Sequence, residues 1–330
     1  MDADQIVDRR RLRRKLTFWR VVAFLLLAAA IVGTLLYAAG DSLTGPQIAR
    51  VSVSGFIGED RDQLKMLDKL AETDTVKAVL VSIDSTGGST AGGESLYEAL
   101  RRLAAKKPVV ATIGTVGASA AYMTAIATDH IVARRTSITG SIGVIFEYPE
   151  VSQLLKTLGV SMEEIKSAPL KAEPSPFHPA SDEAKAVIAG MITDSYNWFV
   201  DIVADRRKLA RAEALRLADG RVFTGRQALD AKLIDEIGGE GEAIAWLGSA
   251  KGVDVKLPVR DWKPVRPGQG FFSADAIGLW IARQLGFGPL LLKGDVLDRV
   301  LPERLKLDGL MSVWQGPGGG DGAPAEGAAR

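Results

Sequence analysis

KAVLVSIDSTGGSTAGG, residues 77–93, is the stretch on which the fold of this chain turns. KAVLVSID is short and almost wholly apolar, which reads as a buried strand, and STGGSTAGG after it reads as a glycine-rich turn. A helix follows near Glu94–Ala105, with Leu96, Leu100 and Leu103 on one face. A buried strand that runs into paired glycines at a helix start leaves backbone N–H groups uncovered, an arrangement suited to an oxyanion or a phosphate. A plain tight turn fits the same residues. No GKS or GKT follows, so it is not a P-loop, and the spacing is not GxGxxG.

The same alternation extends on both sides. IARVSVSGFI (48–57) reads as a strand, DRDQLKMLDKLAET (60–73) as an amphipathic helix, and PVVATIG (108–114) as another apolar strand. An alanine-rich helix starts near Ala118, and residues 130–149 supply further strand-like pieces. From Asp182 to Leu209 the pattern is helical with Ser181 as N-cap, and RAEALRLAD follows as a second helical stretch. Strands alternating with helices predict an α/β domain with a mostly parallel sheet.

Ahead of this body, VVAFLLLAAAIVGTLLYAA, Val21–Ala39, is nineteen residues without a charge. As a helix it is about 28 Å long, close to the thickness of a bilayer core. It exceeds a signal-peptide core, and YAAGDSL is a poor cleavage site, so an uncleaved signal anchor is expected. Residues 1–20 hold seven basic and three acidic residues, and subtracting that +4 from the formal +1 of the chain leaves −3 for the rest. The basic cluster predicts a cytoplasmic amino terminus and a body tethered on the extracytoplasmic side of the membrane. With the positive charge local to the anchor, no nucleic-acid partner is expected.

The expected organisation is a basic tail (1–20), an anchor (21–39), a linker (40–47), a catalytic-sized domain (48–249), an extension (250–315) and a disordered low-complexity tail (316–330). IGLWIARQLGFGPLLL (277–292) reads as a docking helix or a second membrane contact.

The absence of cysteine excludes thiol catalysis, disulfides and thiolate metal sites, and only His130 and His178 are present. Ser119, in GTVGASAAYMTA (114–125), is a helix-start serine that could cap backbone N–H groups or act as a nucleophile. A nucleophilic serine needs a base. Neither histidine is well placed, which leaves a lysine that must be neutral and therefore desolvated. Lys171, in the proline-stiffened IKSAPLKAEPSPF (165–177), is one candidate and Lys166 is another.

The motifs IDSTGGS, GASAAYM, SITGSIGV, KSAPLKAEPSPF and ADGRVFTGRQALDAKLIDEIG, in this order, resemble the signal peptide peptidase A family over roughly residues 48–245. These are membrane-anchored serine peptidases of the Clp protease/crotonase fold. The resemblance implies Ser119 as nucleophile, Lys171 as general base and Lys166 as the noncatalytic lysine. It further implies Ser141 as the residue orienting the base, Gly88 as an oxyanion donor with Ala120 as a second, and no metal or cofactor. It also implies peptide substrates, remnant signal peptides among them, and a homo-oligomeric ring in which one site can draw its serine and lysine from adjacent copies. Asp84 stands where the family usually has Asn, Thr86 where it has Pro, and Ala120–Ala121 where it has Gly-Gly; Asp84 is expected to cap its own turn. The competing readings are a noncatalytic membrane-tethered scaffold of the same fold and an acyl-CoA lyase or hydratase of the crotonase group.

Overall fold

The computed structural model describes residues 3–38, 45–265 and 311–313. The first helix, α1 (Ala3–Ala38), is continuous through the basic segment. Its stretch Lys15–Gly33 is long and apolar enough to cross a membrane by length and composition, and none of it is buried against the rest of the chain. Most of the linker, the run 277–292 and the tail 316–330 lie outside the described residues.

The body starts with β1 (Gln47–Ile57), α2 (Arg61–Glu72), β2 (Val76–Ser89), α3 (Thr90–Ala104), β3 (Val109–Ala118) and α4 (Ala120–Ile126). β4 (His130–Ala133), β5 (Ile138–Gly140) and α5 (Ser152–Thr157) follow. After them come α6 (Asp182–Arg207), α7 (Arg211–Leu217), β6 (Val222–Thr224), α8 (Gly225–Asp230), β7 (Glu236–Ile237) and α9 (Glu240–Lys251). β8 (Val259–Trp262) and β9 (Met311–Val313) complete the described elements. The α/β reading holds, with most of the expected elements in place. Asp60 caps α2 by accepting from the N–H groups of Asp62 and Gln63, and Ser181 caps α6 by accepting from Ala184 N.

One nine-stranded sheet carries the body, in the order β6-β5-β3-β2-β1-β8, with β4 beside the first half of β3, β7 on the far side of β4, and β9 on the end of β2. All pairs are parallel except β5–β6 and β2–β9. Side chains alternate across it. Val79, Val81 and Ile83 join Val51, Val109 and Ile113 in the larger core, under Leu67, Leu70, Leu100, Tyr122 and Phe199 from the helices of one face. Ala78 and Leu80 face the other way, packing with Ile48, Val110 and Val132 under Ala243 and Leu247 of α9. A sheet covered on both faces explains why its central strands read as continuous apolar runs.

Two differences from the sequence reading bear on function. The glycine segment is not a free turn: β2 continues to Ser89, and Gly87 and Gly88 pair with Phe56 and Ile57 of β1. The stretch from residue 250, set apart as an extension, adds two strands to the same sheet. β8 pairs with Ile48–Val51, and β9 runs antiparallel to Gly87–Ser89.

Candidate active site

The carboxyl ends of parallel strands are where helix N-termini and loops converge, and three of the expected residues meet there. β2 and β3 run side by side up to the pair Ser85 and Gly117, so Gly88 lies three residues beyond that pair on one strand and Ser119 two beyond it on the other. β5 brings in the third: Ala118 pairs with Gly140, and Ser119 N donates to Gly140 O at 2.8 Å, which sets Ser141 beside Ser119.

Ser119 sits between β3 and α4 with φ 60° and ψ −120°, a conformation rarely adopted by a residue with a side chain. It occupies the N-cap position yet makes no side-chain capping bond. The capping role open to it in the sequence is therefore not the one it plays. Such a turn, strained by order of 1–3 kcal/mol, lifts a side chain off the strand-to-helix corner toward whatever lies beyond the strand ends. It is held by its surroundings, since every residue from Gly117 to Thr128 is buried. Tyr122 in the next turn donates its hydroxyl to Leu233 O at 2.8 Å, and burial pushes that phenol well above its ordinary range.

Gly88 is a glycine for want of room: a Cβ there would stand 1.9 Å from Ile57 O. Gly93 is tight for the same reason, since a Cβ would meet Met123 Sδ at 2.8 Å and Ala120 Cβ at 3.0 Å, and the start of α3 thus presses on the start of α4. Ala120 is the first residue of α4, where a backbone N–H has no partner four residues back in the helix. Asp84 does not cap its own turn. Its carboxylate accepts from Val116 N on β3 at 3.1 Å.

Ser141 also has a positive φ, 49°, with its N–H given to Arg221 O at 2.8 Å. Among the described residues only five non-glycine positions have positive φ: Ser119, Ser141, Ala172, Lys208 and Lys232. Lys208 is the C-cap of α6, a common place for it. Three of the other four are Ser119, Ser141 and the neighbour of Lys171.

Among the described residues, no hydrogen bond or ion pair joins Lys171 to this cluster. Its side chain is exposed, with no ion pair to a described residue, on a loop whose backbone turns through Lys171 N to Ala168 O at 3.0 Å. Lys166 is differently placed. Its ammonium lies 2.5 Å from both Glu164 Oε2 and Glu173 Oε1, and those hydrogen bonds hold its pKa above the usual lysine value. A proton so held is a poor one to give up, which sets Lys166 against the role of base. Glu164, Glu173 and His178 each offer a metal-ligand atom within 4.8 Å of the others, but the Lys166 ammonium already bonds the two carboxylates. His130 is committed elsewhere, 3.1 Å from Glu236 Oε2 and stacked on Trp246.

The sequence reading missed two features. Nothing in residues 311–313 announced a strand on Gly87–Ser89. The carboxylates around Lys166 left a trace in the acid–lysine alternation of EEIKSAPLKAEP.

The profile of peptidase family S49 matches residues 101–254. A protein of Synechocystis named as a protease is 39% identical over 228 residues, covering 67% of this chain and 82% of its own length. This chain belongs to peptidase family S49, the signal peptide peptidase A family. A protein of Enterococcus faecium named as a signal peptide peptidase SppA is 31% identical over 277 residues, 79% of this chain and 77% of its own length. Among solved structures, a membrane-bound stomatin-specific protease aligns over 68% of this chain and all of its own at 16% identity, with a TM-score of 0.46. Membership of S49 makes the chain a serine peptidase.

Proposed function

We propose that this chain is a membrane-anchored endopeptidase with a Ser119–Lys171 dyad, acting on remnant signal peptides and other apolar segments on the extracytoplasmic side of the inner membrane. The observation that carries the reading is Ser119 itself: a buried serine at a strained strand-to-helix corner that does not cap its helix, beside Gly88 and Ser141.

Ser119 Oγ attacks the scissile carbonyl while neutral Lys171 takes its proton, and the N–H groups of Gly88 and Ala120 receive the oxyanion. The Lys171 ammonium then protonates the leaving amine. A water, deprotonated by Lys171, releases the acyl group from Ser119. Ser141 hydrogen-bonds the base and orients it. The strand β9 on Gly87–Ser89 supports an extended substrate, since the same backbone edge can accept a peptide running antiparallel to it. The unburied apolar stretch of α1 supports the anchor, and the basic residues before it support a cytoplasmic amino terminus.

Lys171 must lose its water to serve as a base. Exposed Leu158, Met162, Ile165 and Leu170 on the same stretch support a second copy of the chain as the cover, within a homo-oligomeric ring.

The test is hydrolysis of a fluorogenic apolar peptide by the full chain in detergent, beside Ser119→Ala, Lys171→Ala and Lys166→Ala. Complete loss in the first two is expected, with reduced but measurable activity in the third. Parent-like rates in Ser119→Ala or Lys171→Ala would overturn the dyad.

A further inference from the structure

Between Ser152 and Ala184, Ser175 is the one buried residue. Thirty-one residues, Lys171 among them, therefore run without an apolar core of their own, and Ile165 is fully exposed. What fixes this stretch is polar, and it converges on Ser175. Ser175 Oγ donates to Glu164 Oε1 at 2.9 Å, and Ser175 N donates to Glu173 Oε2 at 3.1 Å. The second oxygen of each carboxylate takes the Lys166 ammonium, and His178 Nε2 approaches the same pair at 3.3 and 3.5 Å.

The result is an ionic clasp. Lys166 and Glu173, seven residues apart, are joined end to end, so the chain between them is a closed loop. Lys171 stands on that loop two residues before Glu173, and the residue between them, Ala172, is held at φ 62°. Closing a short loop removes most of the conformations that would carry the Lys171 side chain elsewhere. The Glu173 side chain is only 8% exposed, so its charge depends on Lys166 for compensation.

We propose that Glu173 and Lys166 are positioning residues of the peptidase: their ion pair, braced by Glu164 and Ser175, closes the loop that presents Lys171 to the nucleophile. The proposal rests on Lys171 being the base. It gives Lys166 a task of its own, to hold the loop that carries the other lysine.

The test measures kcat and KM of the full chain on the fluorogenic peptide for Glu173→Ala, Glu173→Gln, Lys166→Met, Lys166→Arg, Lys171→Ala and the double variant Lys166→Met/Glu173→Ala. A base displaced by an ångström costs about 10²-fold. Glu173→Ala and Lys166→Met are each expected to lower kcat by about that factor, with KM within about twofold of the parent. Lys166→Arg, which keeps the ion pair, recovers most of the kcat lost in Lys166→Met. The double variant is no worse than the worse single one, because one clasp can be opened only once. Thermal melts identify a variant that fails to fold, and Glu173→Gln, of the same shape, then stands in for Glu173→Ala. If Lys171→Ala is inactive while the clasp variants keep kcat within about twofold, the positioning role fails and the dyad survives. If Lys171→Ala is active, the dyad itself fails. Losses that appear in KM alone, or that multiply in the double variant, would also overturn the clasp.

Discussion

The two residues proposed to share a proton come from opposite kinds of environment. Ser119 lies within twelve consecutive buried residues, Gly117–Thr128, whereas nothing from residue 153 to residue 174 is buried. The serine turn is shaped by packing: strand register, a helix start pressed against α3 and a backbone bond to Gly140 leave it one conformation. The lysine loop is shaped by charge, through two carboxylates, an ammonium and a serine. A packed turn keeps its strained geometry in any solvent, while an ionic loop answers to pH, salt and whatever docks on it. On the proposed dyad, the nucleophile is permanent and the base conditional.

The largest effect should come from the packed side. Ser119→Ala is expected to lower turnover by at least about 10³-fold with the fold intact, since it removes the attacking atom. Ser119→Gly should be equally inactive yet more stable by about 1 kcal/mol, because glycine accepts φ 60° without strain, as a denaturant titration would show. Equal stability in the two variants would mean that the turn is not strained. On the loop side, Lys171→Ala should be inactive alone. If neighbouring copies complete each other's sites, mixing it with Ser119→Ala under conditions that exchange subunits should restore measurable hydrolysis. No recovery after demonstrated exchange would place both residues of a site in one chain.

Next in size is Gly88→Ala. A methyl group 1.9 Å from Ile57 O forces β1 and β2 apart, and a loss of about 3 kcal/mol in urea unfolding is expected together with loss of activity. A stable, active Gly88→Ala would remove both the steric argument and the oxyanion assignment.

The smallest and most diagnostic effect is on loop protection. Hydrogen bonds from Lys166 hold the Glu164 and Glu173 carboxyls below their ordinary range, so what they add is complete above about pH 4.3 and is lost as pH falls through the depressed values. The Pro179 carbonyl, then Glu173 and Glu164, draw the His178 pKa upward. Its contribution is complete below about pH 6.5 and is lost as pH rises through the raised value. Glu164, Glu173 and Lys166 face this ring, with Glu150 also within its field. Hydrogen exchange across 164–178 should therefore be slowest between roughly pH 4.5 and 6.5, after correction for intrinsic rates, and quicken in high salt. Exchange across 117–128 should not respond. A loop as indifferent to pH and salt as the serine turn would erase the contrast.

Much of the architecture was legible beforehand because it is written in local pattern. Alternating apolar strands and amphipathic helices gave the α/β order, Asp60 and Ser181 announced two helix starts, and a nineteen-residue uncharged run marked the helix that, among the described residues, is fit for a bilayer. Glycines at 87 and 88 were legible as a special backbone site, though not as part of a strand, because that depended on the partner Ile57, thirty-one residues away. Asp84 was expected on its own turn and is found on Val116 instead, since a carboxylate bonds the nearest free N–H in space and not the nearest in sequence.

The sequence by itself determined the composition of the chemistry: no thiol, no plausible histidine base, one serine at a turn and two lysines in a proline-rich loop. Tertiary structure decided how those residues are placed. Whether Ser119 caps its helix depends on a φ of 60° at the corner where β3 lies against β5, and no local propensity encodes that. Whether a lysine is bound or available depends on which carboxylates the folded loop brings to it. Lys166 and Lys171, five residues apart in one short segment, are separated by that alone.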